Sequence, residues 1–181
     1  MSLKISKVSS MPDDVIDKYQ QQIPKELLEL WKKEGQCLLL NGYLRVVNPD
    51  DYLKFIQHTY FRGELSIPIF ITAFGDIITL EESKYLRIVR YKDGDFVSIL
   101  ENMYYFLQDL EDEELLEDYF EIQLYEEAVA RFGTLSFDQC FGFVPLLALG
   151  GQKHISNIDK VNTLEHLSLI TQLIGGIGFD D

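Results

Sequence analysis

The 181-residue chain has little of the chemistry that usually announces an active site: two cysteines, three histidines and one tryptophan. Cys37 and Cys140 lie far apart in a chain with ample core material and read as isolated buried thiols, a usage that fits a reducing cytoplasm. His58, His154 and His166 show no HxxxH spacing and there is no CxxC, so a structural zinc site is excluded and no metal or cofactor is expected. The GxSxG of hydrolases, the GxxxxGK of phosphate-binding loops and a GxGxxG after a strand are all missing. Gly175-Gly176-Ile177-Gly178 follows a helical pattern, which is the wrong context for a dinucleotide loop. The apolar stretches Cys37–Leu40 and Phe141–Leu149 fall short of the ~20 residues that cross a bilayer. Met1–Ser10 runs into Met11-Pro12-Asp13-Asp14, a polar helix opening and no export signal. The expectation is a soluble, cytoplasmic protein with no membrane partner.

Positive charge is scarce too, and unevenly so. Sixteen basic against 30 acidic side chains give a formal net charge of -14, which repels nucleic-acid phosphates and argues against a nucleic-acid binder. No basic residue occurs between Lys92 and Arg131, a stretch holding 13 carboxylates, whereas the remainder has 17 acids against 16 bases. Nearly all the net charge sits there. Its densest part, Asp109, Glu111, Asp112, Glu113, Glu114, Glu117, Asp118 and Glu121, is interleaved with Leu110, Leu115, Leu116, Tyr119 and Phe120. The segment is therefore amphipathic and held on the body by its apolar side. Like charges at i,i+4, Glu113 with Glu117 and Glu114 with Asp118, repel one another. Two explanations fit: a face kept for a basic partner, or a solvated helix that aids solubility.

Against these scarcities, 46% of the residues are hydrophobic, with 12 Phe and 10 Tyr, enough for a sizeable core. Ser10-Met11-Pro12-Asp13, Pro24 and Asn48-Pro49-Asp50-Asp51 predict helix starts, the first capped by Ser10, with helices to about Gln21, Glu34 and Tyr60. Tyr43–Val47 reads as a strand, and β-branched and aromatic residues from Ile67 predict a hairpin turning at Gly75-Asp76, then strands Tyr85–Tyr91 and Phe96–Ile99 around Lys92-Asp93-Gly94. Pro68 places its strand at an edge or only just entering the ladder. Helical spacing returns from Met103 and again over Glu126–Phe132; Phe141–Gly151 reads as a buried strand ending in a glycine turn. Asn162 with Glu165 starts a last helix that stops at Gly175. The fold class is α+β, a central antiparallel sheet flanked by helices with a mainly helical C-terminal part, and the change of composition divides the chain into residues 1–108 and 109–181, packed as one compact unit.

Two weaker chemistries remain open. Cys140 lies 14 residues before His154, a spacing that a fold-back would turn into a thiol–imidazole pair, against the plainer reading of a core thiol and a surface histidine. Phe70, Phe74, Tyr91 and Phe96 would line a pocket in a small-molecule-binding or regulatory domain, against the plainer reading of core.

Ile71-Thr72-Ala73-Phe74-Gly75-Asp76-Ile77, preceded by short helices and the Asn48-Pro49-Asp50 turn, resembles the GAD-like domain. Phe141–Gly151, Lys160-Val161 and Glu165–Gly175 resemble the C-terminal domain of type VI secretion immunity proteins. The resemblance spans nearly the whole chain through turn glycines and apolar positions. It implies a bacterial, non-enzymatic protein that binds and neutralises a cognate secreted toxin, typically a nuclease. It brings no catalytic or binding residues with it. A nuclease has a basic surface, so the segment from Asp109 to Glu121 becomes the candidate toxin-binding face.

Overall fold

The computed structural model describes residues 4–100 and 102–179; Glu101, one of the 13 clustered acids, lies outside the described residues. In chain order the elements are β1 (Ser6–Ser9), α1 (Asp13–Tyr19), α2 (Lys25–Glu34), β2 (Gln36–Leu39), β3 (Leu44–Val46), α3 (Pro49–Thr59), β4 (Ser66–Thr72), β5 (Ile77–Glu81), β6 (Tyr85–Arg90) and β7 (Asp95–Leu100). There follow α4 (Met103–Gln108), α5 (Glu113–Tyr119), α6 (Ile122–Phe132), β8 (Gln139–Phe143), β9 (Ile158–Asn162) and α7 (Thr163–Ile174). β1 to β7 form one antiparallel meander in sequence order, and β8 and β9 pair as a separate ribbon. The α+β class, the central sheet and the helical C-terminal part are as the sequence predicts.

Local chemistry explains several boundaries. Asn48 caps α3 by accepting from the Asp50 N–H at 3.0 Å, with Pro49 in the first turn, where its missing N–H costs nothing. Asn162 does the same for α7, accepting from the Glu165 N–H at 3.1 Å. The β4–β5 hairpin turns where Gly75 takes a φ of +83°, a conformation that side chains resist, and the Thr72 hydroxyl accepts from the Asp76 N–H at 3.0 Å. α1 departs from expectation: it starts at Asp13 with Pro12 in the cap position and no side-chain cap, so Ser10 does not cap it.

For Pro68 the edge alternative is overturned and the alternative of a residue only just entering the ladder holds. β4 lies between β3 and β5 and is buried along its whole length, so it is no edge strand. Proline is tolerated because β3 pairs with β4 only from Phe70 to Thr72, leaving Pro68 without a ladder partner on that side, and because the β5 register shifts between Pro68 and Phe70. The Phe141–Gly151 segment also differs: only its beginning is strand, within β8, and from Val144 on the chain turns outward, with Val144 at 54% and Leu149 at 63% exposure. β1, fully exposed, and β9, with its polar Asp159 and Lys160, carry no apolar pattern to reveal them.

The sheet is covered on both sides, which is why β4 and β5 are near-continuous apolar runs. Phe70, Ile78 and Ile88 pack with Trp31 of α2, Phe106 of α4, Leu115 of α5 and Tyr125 of α6. Their chain neighbours Ile71, Ile77 and Val89 point the other way, onto Tyr52 and Ile56 of α3 and Leu167 and Ile170 of α7. The first of these cores joins the sheet to the acidic helices, with Leu110, Leu115 and Phe120 all buried in it.

Candidate functional site

α5 owes its position to a polar start and an apolar underside. Asp112 caps it, accepting from the N–H groups of Glu114 at 3.0 Å and Leu115 at 3.3 Å, and Glu113 and Glu114 lie in the first turn, where the helix dipole favours negative charge. Leu115 and Phe120 anchor the segment from below, the Phe120 ring lying 5.1 Å from that of Tyr43. Asp109, Glu111, Asp112, Glu113, Glu114, Glu117 and Asp118 are left exposed, and none of them takes part in an ion pair among the described residues.

Glu121 behaves differently. Half-buried at the N-terminus of α6, it meets Lys92 Nζ at 3.3 Å and Lys153 Nζ at 2.9 Å, while its N–H donates to the Tyr43 hydroxyl at 3.1 Å. Lys92 in turn lies 2.5 Å from Asp76, and Lys153 lies 2.6 Å from Asp93. Two turns of the sheet, the start of α6 and the loop before β9 thus meet in one network of three carboxylates and two ammonium groups. Burial pushes the Asp76 carboxyl up, with Lys92 opposing; burial alone would lower Lys92, but the three carboxylates outweigh it and raise it. The eighth carboxylate of the predicted face is thus committed inward, to a partner, Lys153, that the sequence pattern did not single out.

The face is also grooved. A concavity of about 610 Å³ is lined by the apolar Leu40, Tyr125, Val129 and Ala130 together with Glu111, Glu126 and Lys4. A second, of about 640 Å³, runs over Phe120 and Leu124 between Glu113, Glu117 and Glu127, with Lys153 at its margin. Leu116 and Ile122, both half-buried, belong to the two grooves and form the ridge between them. Sequence reasoning located the carboxylates but missed these grooves; the apolar residues Ile122 and Leu124, just past the acidic run, were the available signal.

The other candidates do not assemble. Cys140 is fully buried and its thiol is pushed up to about 11 by burial, whereas His154 is exposed and holds the Ser156 hydroxyl at 2.8 Å. Phe70 and Phe74 pack in one core and Tyr91 and Phe96 in the other, on opposite faces of the sheet, so they line no common pocket. Among the described residues no cluster of His, Cys, Asp and Glu suits a metal ion, and no helix is long and apolar enough to cross a membrane.

Comparison with known proteins adds the family context. Residues 3–92 match the GAD-like domain and residues 100–174 match the C-terminal domain of the T6SS immunity protein Tdi1, in that order. The fold is similar to the crystal structure of Atu4351 from Agrobacterium tumefaciens, with a TM-score of 0.72 and 16% sequence identity over 91% of this chain and 82% of that one. A search of curated proteins finds no match.

Proposed function

We propose, from the premise that the chain belongs to the T6SS immunity proteins that join a GAD-like domain to a Tdi1-type C-terminal domain, that it binds a cognate secreted antibacterial toxin and neutralises it stoichiometrically, without catalysis, in the bacterial cytoplasm. The toxin in this reading is a basic nuclease, met by the face that carries Asp109, Glu111, Asp112, Glu113, Glu114, Glu117 and Asp118, with Glu121 at its inner margin. The observation that carries the reading is the contrast within that segment: seven carboxylates stay exposed and, among the described residues, outside any ion pair, three of them (Glu111, Glu113 and Glu117) lining two grooves, while the eighth is tied inward. Carboxylates so placed occupy a phosphate-binding surface where the nucleic acid would lie. The division at residues 1–108 and 109–181 belongs to the same proposal. Supporting a single inhibitory unit, the network in which Asp76, Lys92 and Asp93 meet Glu121 and Lys153 ties the sheet to the helices.

The test is co-expression with a secreted toxin encoded by a neighbouring reading frame, where one is found, followed by co-purification and association kinetics at rising salt. A stable complex whose association slows with salt is expected, because exposed opposite charges steer the encounter and are screened. Replacing Glu113, Glu114 and Glu117 by Gln and Asp118 by Asn together removes four charges without touching the buried underside. If affinity and salt slope stay unchanged, the acidic face is not the interface.

A further inference from the structure

An electrostatic contact needs only charge, yet this surface offers shape and apolar floor as well. Each groove has a volume in the range of sites that take several side chains, about 610 and 640 Å³. In the first, Leu40, Tyr125 and Val129 supply an apolar lining. Carboxylates line both: Glu111 and Glu126 the first, Glu113, Glu117, Glu121 and Glu127 the second. One lysine lines each groove, Lys4 the first and Lys153 the second, and Lys153 is already bound to Asp93 and Glu121. Two apolar grooves that share Leu116 and Ile122, each with more carboxylates than lysines in its lining, are the complement of a helix whose apolar stripe straddles those two residues and whose flanks are cationic.

Resting on the immunity reading, the geometry points to a basic amphipathic helix of the toxin as the element seated here: two apolar rows enter the grooves flanking Leu116 and Ile122, and Lys or Arg side chains on both flanks lie over Glu111, Glu126, Glu117 and Glu127. An acidic or neutral helix would meet the rim as like charge or leave it unpaired, which specificity disfavours.

The probe is a synthetic peptide of about five helical turns with leucines on one face and lysines on the other, compared with a peptide of the same composition whose order spreads the leucines around the helix. Fluorescence anisotropy with the full chain should show the amphipathic peptide binding at least about tenfold more tightly than the scrambled one and gaining helicity on binding. Ile122→Ser should weaken it by about tenfold or more, as loss of a central anchor does. Because Ile122→Ser disturbs packing as well, the pair Glu126→Lys and Glu127→Lys, both exposed, provides a variant that leaves the core intact and should weaken the amphipathic peptide by a similar factor. Equal binding of the two peptides, or binding unaffected by Glu126→Lys with Glu127→Lys, overturns the inference. The two readings fail separately. A toxin that co-purifies but is not displaced by the amphipathic peptide overturns the helix and leaves the immunity reading standing. Selective peptide binding by a chain that retains no toxin leaves the groove assignment standing without it.

Discussion

Lys92 Nζ lies 2.5 Å from the Oδ2 of Asp76, and the two side chains are 5% and 2% exposed. Asp76 comes from the β4–β5 turn and Lys92 from the β6–β7 turn, so the pair cross-links two hairpins at one end of the sheet. Glu121 at the start of α6 shares the same ammonium group at 3.3 Å.

Removing one partner strands a charge in the interior. Lys92→Met should therefore destabilise the fold by about 3–5 kcal/mol, as breaking buried pairs does, whereas Lys92→Met combined with Asp76→Leu should recover part of the loss. Urea unfolding of the three proteins checks this; a double variant no more stable than Lys92→Met would mean that the pair itself, and not the stranded charge, carries the effect.

Arg45 is nearly fully buried in β3 and forms no ion pair among the described residues. Its guanidinium donates to the carbonyls of Phe137 at 2.7 Å, Thr72 at 3.0 Å and Gln139, binding the sheet to the approach to β8. Arg45→Met leaves those acceptors without their donor, and a loss of about 3 kcal/mol is expected. Hydrogen exchange should show β8 amides losing protection ahead of β5, because β8 is the element the guanidinium holds in place.

His166 of α7 lies against Gly142 of β8: a Cβ at position 142 would meet the imidazole at 2.7 Å. Gly142→Ala should cost about 1–3 kcal/mol through overpacking. Burial lowers the His166 pKa below its ordinary value of 6.5. The unfolded chain therefore takes up a proton before the folded one does, so this contribution to stability is complete above pH 6.5 and is lost as pH falls below it. Thermal melts at neutral and mildly acid pH should show a larger drop for the natural sequence than for His166→Gln.

Cys37 and Cys140 are both fully buried, and burial raises their thiols to about 12 and about 11. Little thiolate exists at neutral pH, so neither should react with a thiol-specific reagent until the chain is unfolded in denaturant, when both titrate. Rapid labelling of the native protein would contradict this packing.

Much of the fold is legible in the sequence wherever the physics is local. Asn48-Pro49 and Asn162 with Glu165 cap helices through bonds that span two or three residues, and Gly75 bends a hairpin because its own backbone permits it. Periodicity separates sheet from helices, and the charge count alone isolates the acidic segment and its buried underside, since Leu115 and Phe120 among carboxylates can satisfy both environments in only one orientation. Pro68 left two readings open because its tolerance depends on where a neighbouring strand ends, which is a property of β3 and not of β4. Only the tertiary structure decided that Glu121 turns inward to Lys92 and Lys153, residues 29 and 32 positions away in the chain, and that Leu116 and Ile122 rise between two grooves. Ion pairs and concavities are made by elements brought together from distant parts of the chain. Composition supplies their charges and apolar side chains, but which of them meet is set by how the helices pack on the sheet.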